Sequence, residues 1–190
     1  MMKKLSLPLT KGKIKNLKIG DELLLSGIIY TARDKAHQHL VTLIKNHKKL
    51  PIDLKNQIIY YCGPTAKPKN KIIGSCGPTT SSRMDKFTPI LLKKGLSGII
   101  GKGNRSKEVV DAIKKYKAIY FLTYAGCGAL LTRYIKKAKV LAFSGLGPEA
   151  ILKLEVKDFP VIIGIDSLGK NIYKSLKVPA YRQAGKSLKV

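Results

Sequence analysis

The sequence predicts an α/β fold, a single domain with a mainly parallel sheet and flanking helices. Two observations carry that expectation. From Ile58 onward, short apolar runs ended by Gly alternate with stretches of helical periodicity, which is the texture of repeated strand–turn–helix units. The chain has 190 residues, enough for one hydrophobic core and too few for two, and it shows no internal repeat.

The elements follow in order. Ile19-Gly20-Asp21 reads as a turn, and Glu22 to Thr31 as a strand, or a bent pair of strands broken at Gly27. Ala36, Leu40, Leu43 and Ile44 share one apolar helical stripe, with Arg33 and His37 one turn apart beside it. Ile58–Cys62 and Lys71–Ser75 are expected strands, each running into a Cys-Gly-Pro turn. A helix is expected over about Thr80 to Lys94, then a strand at Ser97–Ile100. Ser106 has the position of an N-cap, with Glu108 in the first turn of a helix ending near Tyr116. Ala118–Tyr124 is read as a strand and Gly128–Lys137 as a helix. Val140–Phe143 and Val161–Asp166 are further strands, with a short helix opening at Pro148-Glu149 between them. After Ile172 the chain is basic and is expected to form a surface extension.

Composition narrows the function classes. The 37 Lys and Arg residues outnumber 11 Asp and Glu, a formal charge of +26. Only five of those cations are Arg: Arg33, Arg83, Arg105, Arg133 and Arg182. Nucleic-acid readers usually favour Arg and interleave it with aromatics, because guanidinium binds phosphates and bases bidentately. Here Lys is spread along the whole chain, so the field allows a nucleic acid without arguing for one. A basic α/β nucleic-acid-binding module is the rival from a different class. No apolar run is long enough to cross a bilayer and the start of the chain lacks an apolar signal region, so a soluble cytoplasmic protein is expected.

Cys62, Cys76 and Cys127 form an odd set without Cys-x-x-Cys spacing, which speaks against a disulfide framework and a zinc site. Three distant thiolates could still converge on an iron–sulfur cluster, which would make the chain an enzyme by itself. The alternative is that they are small residues lining strand ends and loops.

Ligands of such sheets bind where strand ends meet helix starts. Four polar groupings lie at expected junctions: Arg33-Asp34-x-x-His37, Gly77 to Arg83 (GPTTSSR), Gly101 to Arg105 (GKGNR), and Ala125 to Gly128 (AGCG). In GPTTSSR a Gly-Pro turn leads to four hydroxyls, with Arg83 one turn beyond Thr79, a composition suited to a carboxylate or phosphate. Lys102 between two glycines does not complete a phosphate loop, since Gly103 stands where a metal-binding hydroxyl would follow. His37, beside Arg33 and Asp34, is a candidate for proton transfer, as is Thr79. Arg33, Arg83 and Lys102 around a hydroxyl-rich turn fit a small dicarboxylate better than a polymer. The residues supply cations and an acid/base but no convincing metal site, which makes half an active site.

The ordered set Thr31-Ala32-Arg33-Asp34-Lys35-Ala36-His37, Gly77 to Asp85, Gly101 to Asn104, Gly145 to Ala150, Asp158 to Val161 and Asp166-x-x-Gly169 resembles the β subunit of class I, iron–sulfur fumarate hydratase. The L(+)-tartrate dehydratase β subunit belongs to the same group. The resemblance implies a swivelling β/β/α domain over residues 1–173, leaving 174–190 as the basic extension. It implies reversible hydration of fumarate to (S)-malate, or tartrate dehydration as the alternative. It also implies a partner α subunit that carries a 4Fe–4S cluster, in an α2β2 heterotetramer. Carried over by motif, Arg33, Arg83 and Lys102 clamp the substrate, and Thr79 and His37 are the acid/base candidates. Asp34 and Thr80 support them from behind, and none of the three cysteines binds iron.

Overall fold

The structure, a computed structural model, describes residues 2–175. All but the first two residues of the expected basic extension therefore lie outside the described residues. Strand β1 (Lys3–Ser6) and the single turn α1 (Lys11–Ile14) lead into β2 (Glu22–Thr31), helix α2 (Asp34–Lys45) and β3 (Ile58–Tyr60). Then come a 3-10 turn (Ser81–Met84), α3 (Thr88–Lys93), β4 (Gly98–Gly101), α4 (Lys107–Tyr116) and β5 (Ile119–Leu122). One-turn α5 (Gly128–Leu131), β6 (Ile135–Ala142), β7 (Ile151–Ile165) and α6 (Ile172–Ser175) complete the order.

The fold is mixed α/β around one seven-stranded sheet in the order β1-β2-β3-β4-β5-β7-β6. Strands β1 to β5 pair in parallel, and β7 runs antiparallel to β5, β6 and β2. Because β7 bonds to both β5 and β2, the sheet curls into a partly closed ring. The expectation of a mainly parallel sheet describes the first five strands, and the closing strands reverse direction. At the middle of β7 the ladder to β2 slips between Leu25 and Gly27. Asp158 takes a positive φ of 54° there, and its N–H is bound by Ser26 Oγ at 3.0 Å. The bend expected at Gly27 is this bulge.

Alternation along the central strands separates two cores. Ile58, Tyr60, Cys62 and Phe121 pack with Leu25, Phe159 and Ile163 on the face enclosed by the ring. Ile59, Tyr61, Ile99 and Tyr120 pack under α2, α3 and α4, against Leu40, Leu91 and Ile113. Helix α2 has 12 residues, marginal for a helix in isolation. Its buried stripe of Ala36, His37, Leu40 and Val41 holds it to the sheet, each full-sized apolar side chain contributing roughly 1.5–3 kcal/mol by burial.

Five expected elements differ. Lys71–Ser75 forms no strand, because Ser75 turns back on its own loop: its carbonyl accepts from Thr65 N at 3.0 Å and its N–H donates to Thr65 Oγ1 at 2.9 Å. The helix expected over 80–94 is split into the 3-10 turn and α3. Pro89, in the first turn of α3, has no N–H to give and would clash with the carbonyl four residues back. The helix expected over 128–137 lasts one turn, since from Ile135 the chain pairs with β7 and tertiary pairing overrides local propensity. Strand β7 begins ten residues before Val161, at Ile151, and the short helix expected at Pro148-Glu149 is instead a kinked 3-10 stretch over Ser144–Glu149. The Ser106 cap is present, its Oγ accepting from Val109 N at 3.4 Å, and α4 ends on Lys117 in the left-handed region.

Candidate functional site

Parallel strands β2, β3 and β4 end on the same edge of the sheet, and the residues just past those ends build the site. Arg33 lies two residues beyond β2 and precedes α2. Lys102 directly follows β4. The loop leaving β3 returns through Thr79, whose N–H donates to Tyr61 O at 2.7 Å, laying the GPTTSSR run beside the strand end. That run then joins the end of β4. Thr80 bridges Lys102 in parallel, Ser81 N donates to Lys102 O at 3.1 Å, and Lys102 N donates to Ser81 Oγ at 3.1 Å. The run begins a 3-10 turn of four residues rather than a long helix, so an anion would be met by side chains more than by a helix end.

Asp34 is the hub. Arg83 donates to both of its oxygens, Nε to Oδ1 at 2.9 Å and Nη2 to Oδ2 at 2.5 Å, and Arg33 Nε reaches Oδ2 at 3.3 Å. Arg83 Nη1 lies 3.4 Å from Thr79 Oγ1. Burial tends to raise the Asp34 carboxyl, but its own backbone N–H and Arg83 outweigh that and hold it below its ordinary value. Two guanidiniums and the Thr79 hydroxyl are thus set by one carboxylate.

Glu149 completes the arrangement, and sequence reasoning assigned it no role here. Its Oε1 is 3.6 Å from Arg33 Nη2 and its Oε2 accepts from Lys35 N at 2.6 Å. A carboxylate more than a hundred residues away therefore caps the open end of α2, where the free N–H groups favour negative charge. Gly63 presses on the same guanidinium, and a Cβ there would fall 2.7 Å from Arg33 Cδ and 2.9 Å from Pro148 O. Only the absence of a side chain lets the strand end approach Arg33 so closely. Arg33, Lys35, Gly145, Leu146 and Glu149 line a cavity of about 300 Å³ beside the hub. The signals available in sequence were the GPEA segment and the Gly after Cys62.

Below the hub is a buried polar layer that sequence reasoning also missed. Arg105, 5% exposed, donates to Asp85 Oδ1 at 2.7 Å and to Thr88 Oγ1 at 2.8 Å, and its guanidinium carbon lies 5.4 and 5.0 Å from the Tyr61 and Tyr120 ring centres. Asp85 Oδ2 accepts from Ser106 N at 2.7 Å, and the Tyr120 hydroxyl is 2.9 Å from Ser81 Oγ. Burial works against the Arg105 charge, and the surrounding Tyr61, Asp85 and Tyr120 more than restore it.

The expected site residues fall into distinct places. Arg33, Asp34, Thr79 and Arg83 are in one contact network, and Lys102 is tied to it through Ser81. Among the described residues Lys102 Nζ makes no ion pair. Thr80 is solvent-exposed and joins only through its backbone bridge to Lys102. His37 lies within the buried stripe of α2 rather than beside it, and it is fully enclosed. Its ring meets Tyr61 edge-on with centroids 4.9 Å apart, and Nδ1 is 2.9 Å from Arg33 O, while Nε2 has no hydrogen-bond partner among the described residues. Burial lowers its pKa to about 4, so the ring is neutral near pH 7.

The cysteines do not converge. Cys62 and Cys76 are buried with their sulfurs 2.9 Å apart, whereas Cys127 is exposed ahead of α5. Among the described residues no group of three or more His, Cys, Asp or Glu side chains is placed to hold a metal ion, so these residues do not fit a cluster. A second cavity of about 550 Å³ opens at the opposite edge of the sheet, lined by Lys11, Lys15, Lys18, Lys117 and Lys170 over Ile14 and Leu17. Among the described residues, no helix is long and apolar enough to cross a membrane.

Comparison with known proteins adds an independent line. The family described as fumarase C-terminus matches residues 2–176. A Methanocaldococcus jannaschii chain provisionally named L(+)-tartrate dehydratase subunit β is 40% identical over 181 residues, 92% of this chain and 93% of that one. Fumarate hydratase 2 of Leishmania major is 38% identical over 157 residues, and the anaerobic class I fumarate hydratase of Escherichia coli is 39% identical over 160. Those alignments cover 82% and 83% of this chain but only 28% and 29% of the two enzymes. The chain thus spans almost the whole archaeal subunit and under a third of each fumarate hydratase.

Proposed function

This chain belongs to the fumarase C-terminus family, and from that premise we propose that it is the β subunit of an iron–sulfur hydro-lyase interconverting fumarate and (S)-malate. The observation that carries the proposal is Asp34 holding Arg33 and Arg83 together beside Thr79, with Lys102 at the next strand end making no ion pair among the described residues. Guanidinium forks match carboxylates bidentately, and Lys102 adds a point charge. In hydration, oxygen bonds to one alkene carbon and a proton to its neighbour. The charge that develops between those steps spreads into the adjacent carboxylate, where fixed cations stabilise it more than they stabilise the ground state.

The relative with almost full-length coverage is named a subunit β, which supports a site shared with a partner α subunit. The proposal places the 4Fe–4S cluster, a Lewis acid toward a departing hydroxyl, on that α subunit, in an α2β2 assembly. The swivelling β/β/α description of the domain belongs to the same reading. This chain binds and orients the dicarboxylate through Arg33, Arg83 and Lys102, and Thr79 presents a hydroxyl to it. Thr79 and His37 stay as the two proton-transfer candidates. The half-buried Thr79 faces the clamp, while enclosed His37 acts on it through the Arg33 carbonyl.

The relative with almost full-length coverage is named for tartrate dehydration, which favours that reaction as the second reading. One experiment separates the two. The complex captured from the native host through this chain is assayed anaerobically with fumarate, (S)-malate and L(+)-tartrate. Turnover of fumarate by an iron-containing complex supports the proposal, and turnover of tartrate alone selects the second reading. Recovery of the chain with neither partner nor iron overturns both.

A further inference from the structure

The loop leaving β3 departs through Cys62-Gly63-Pro64 and returns through Cys76-Gly77-Pro78 to Thr79. Its two cysteines meet at the base of that excursion with Sγ–Sγ 2.9 Å, both fully buried. Three bonds hold them in place. Cys62 N donates to Tyr60 O at 2.9 Å, the Tyr60 hydroxyl donates to Cys76 O at 2.6 Å, and Cys76 N donates to Gly128 O at 3.2 Å. We propose that Cys62 and Cys76 form a disulfide that staples this excursion beneath the clamp. A disulfide bond is about 2.05 Å long, so closing it asks for a movement of under about 1 Å. Two thiols lose two protons and two electrons as the sulfurs join. A small disulfide such as oxidised glutathione accepts them, passing through one mixed disulfide and leaving as two thiols.

The site differs from an ordinary buried cysteine in holding two thiols against each other. The hydrogen bond shared with Cys76, and then burial, push the Cys62 thiol well above its usual value. Exchange in the closed fold is therefore slow, and the bond forms as the chain folds or when the loop opens. Once formed, it is shielded from reductants by the same burial. Its neighbours are Gly63, which abuts Arg33, and Thr79, so the staple fixes the base from which both site segments leave. The inference concerns thiol chemistry alone and does not depend on which substrate the site takes.

The test uses the full-length chain in its complex, equilibrated in glutathione buffers from reduced to oxidised, with gentle heating to permit local opening. A parallel sample of the chain is unfolded and refolded in the same buffers. Both are quenched in acid, alkylated in denaturant and mapped by mass spectrometry. The expected product carries a cross-linked Cys62–Cys76 peptide and alkylated Cys127. For a closed loop of this length the oxidised form should melt about 6–12 °C higher than the reduced form. That difference should vanish in Cys76→Ala and persist in Cys127→Ser. Three alkylated cysteines under every buffer in both samples would overturn the proposal, as would a bond to Cys127 or a cross-link without a rise in melting temperature.

Discussion

Asp34 and Arg83, 49 residues apart in sequence, are joined by two parallel hydrogen bonds, Nε to Oδ1 and Nη2 to Oδ2. Asp34 opens α2 and Arg83 sits in the 3-10 turn after the β3 excursion, so this one pair ties two site segments together. It also turns Arg83 so that Nη1 faces Thr79.

Replacing Asp34 with Asn keeps the shape and removes the charge that aligns both guanidiniums. Misplacing a substrate clamp by about 1 Å costs on the order of 100-fold in rate, and a loss of that size in kcat/KM is expected. The Asp34 carboxyl is held below its ordinary value, so the link is intact above that range and is lost as pH falls through the folded-state value. Activity of the wild-type complex should fall on the acid side for this reason. An Asp34→Asn variant with unchanged kcat/KM would show that the hub does not organise the site.

Arg83→Ala and Lys102→Ala test the clamp itself. The Arg83 side chain is 47% exposed and lies outside both cores, and Lys102 Nζ has no acidic partner among the described residues. Lys102→Ala should not shift stability by more than about 0.5 kcal/mol, and Arg83→Ala, which also breaks the pair with Asp34, by no more than about 1 kcal/mol. Losing a charge that pairs with a bound carboxylate costs roughly 2–5 kcal/mol, so kcat/KM should fall by at least about 30-fold in each. Normal kinetics in both variants, with assembly retained, would remove these residues from the site.

Arg105 should behave in the opposite way. Its side chain is fully buried, Asp85 is 14% exposed, and Thr88 joins the same network. Arg105→Met leaves the Asp85 carboxylate without its cation, and breaking a buried pair of this kind costs roughly 3–5 kcal/mol. Denaturant unfolding should show that loss. Restoring the balance with Asp85→Asn in the same chain should recover part of it, and an additive double mutant would deny the coupling.

How much of this was legible in the sequence depends on the range of the interactions. Ser106 and the Gly27 break are local patterns, and the structure has them where the residues imply, whereas the buried stripe of α2 keeps Ala36 and Leu40 but takes in His37 and Val41 in place of Leu43 and Ile44. The site motifs were legible as strand-end turns, although which side chains touch was not. Glu149 caps α2 from 114 residues away, and no local pattern announces a cap supplied from so far. Strand β7 did carry a signal, since Leu152, Leu154 and Val156 alternate with Lys153, Glu155 and Lys157. The residues of 128–137 read as helix, but the partner strand decides their state. Arg105 was legible only as the end of the GKGNR grouping, because its partners Asp85 and Thr88 are distant in sequence. The Cys62–Cys76 pairing likewise depends on a loop closing, which spacing alone does not reveal.

His37 provides the sharpest pH prediction. Its pKa is lowered to about 4 from an ordinary 6.5, first by burial and further by the nearby Arg105 charge, against the opposing pull of the Arg33 carbonyl and Asp34. Between those two values the unfolded chain binds a proton that the folded chain does not, so stability rises with pH across that window. The contribution is fully present above about pH 6.5 and is lost as pH falls toward 4, at about 1.4 kcal/mol per pH unit and roughly 3 kcal/mol in all. Unfolding measured from pH 7 to pH 4 should show this slope in the wild type, and His37→Gln should flatten it by close to one proton. The same variant separates support from chemistry. If His37 acts only by holding the Arg33 carbonyl, His37→Gln lowers kcat/KM without changing the shape of its pH profile. If the ring itself transfers the proton, the part of the acidic limb near pH 4 disappears with it, and only the fall at lower pH that belongs to Asp34 remains.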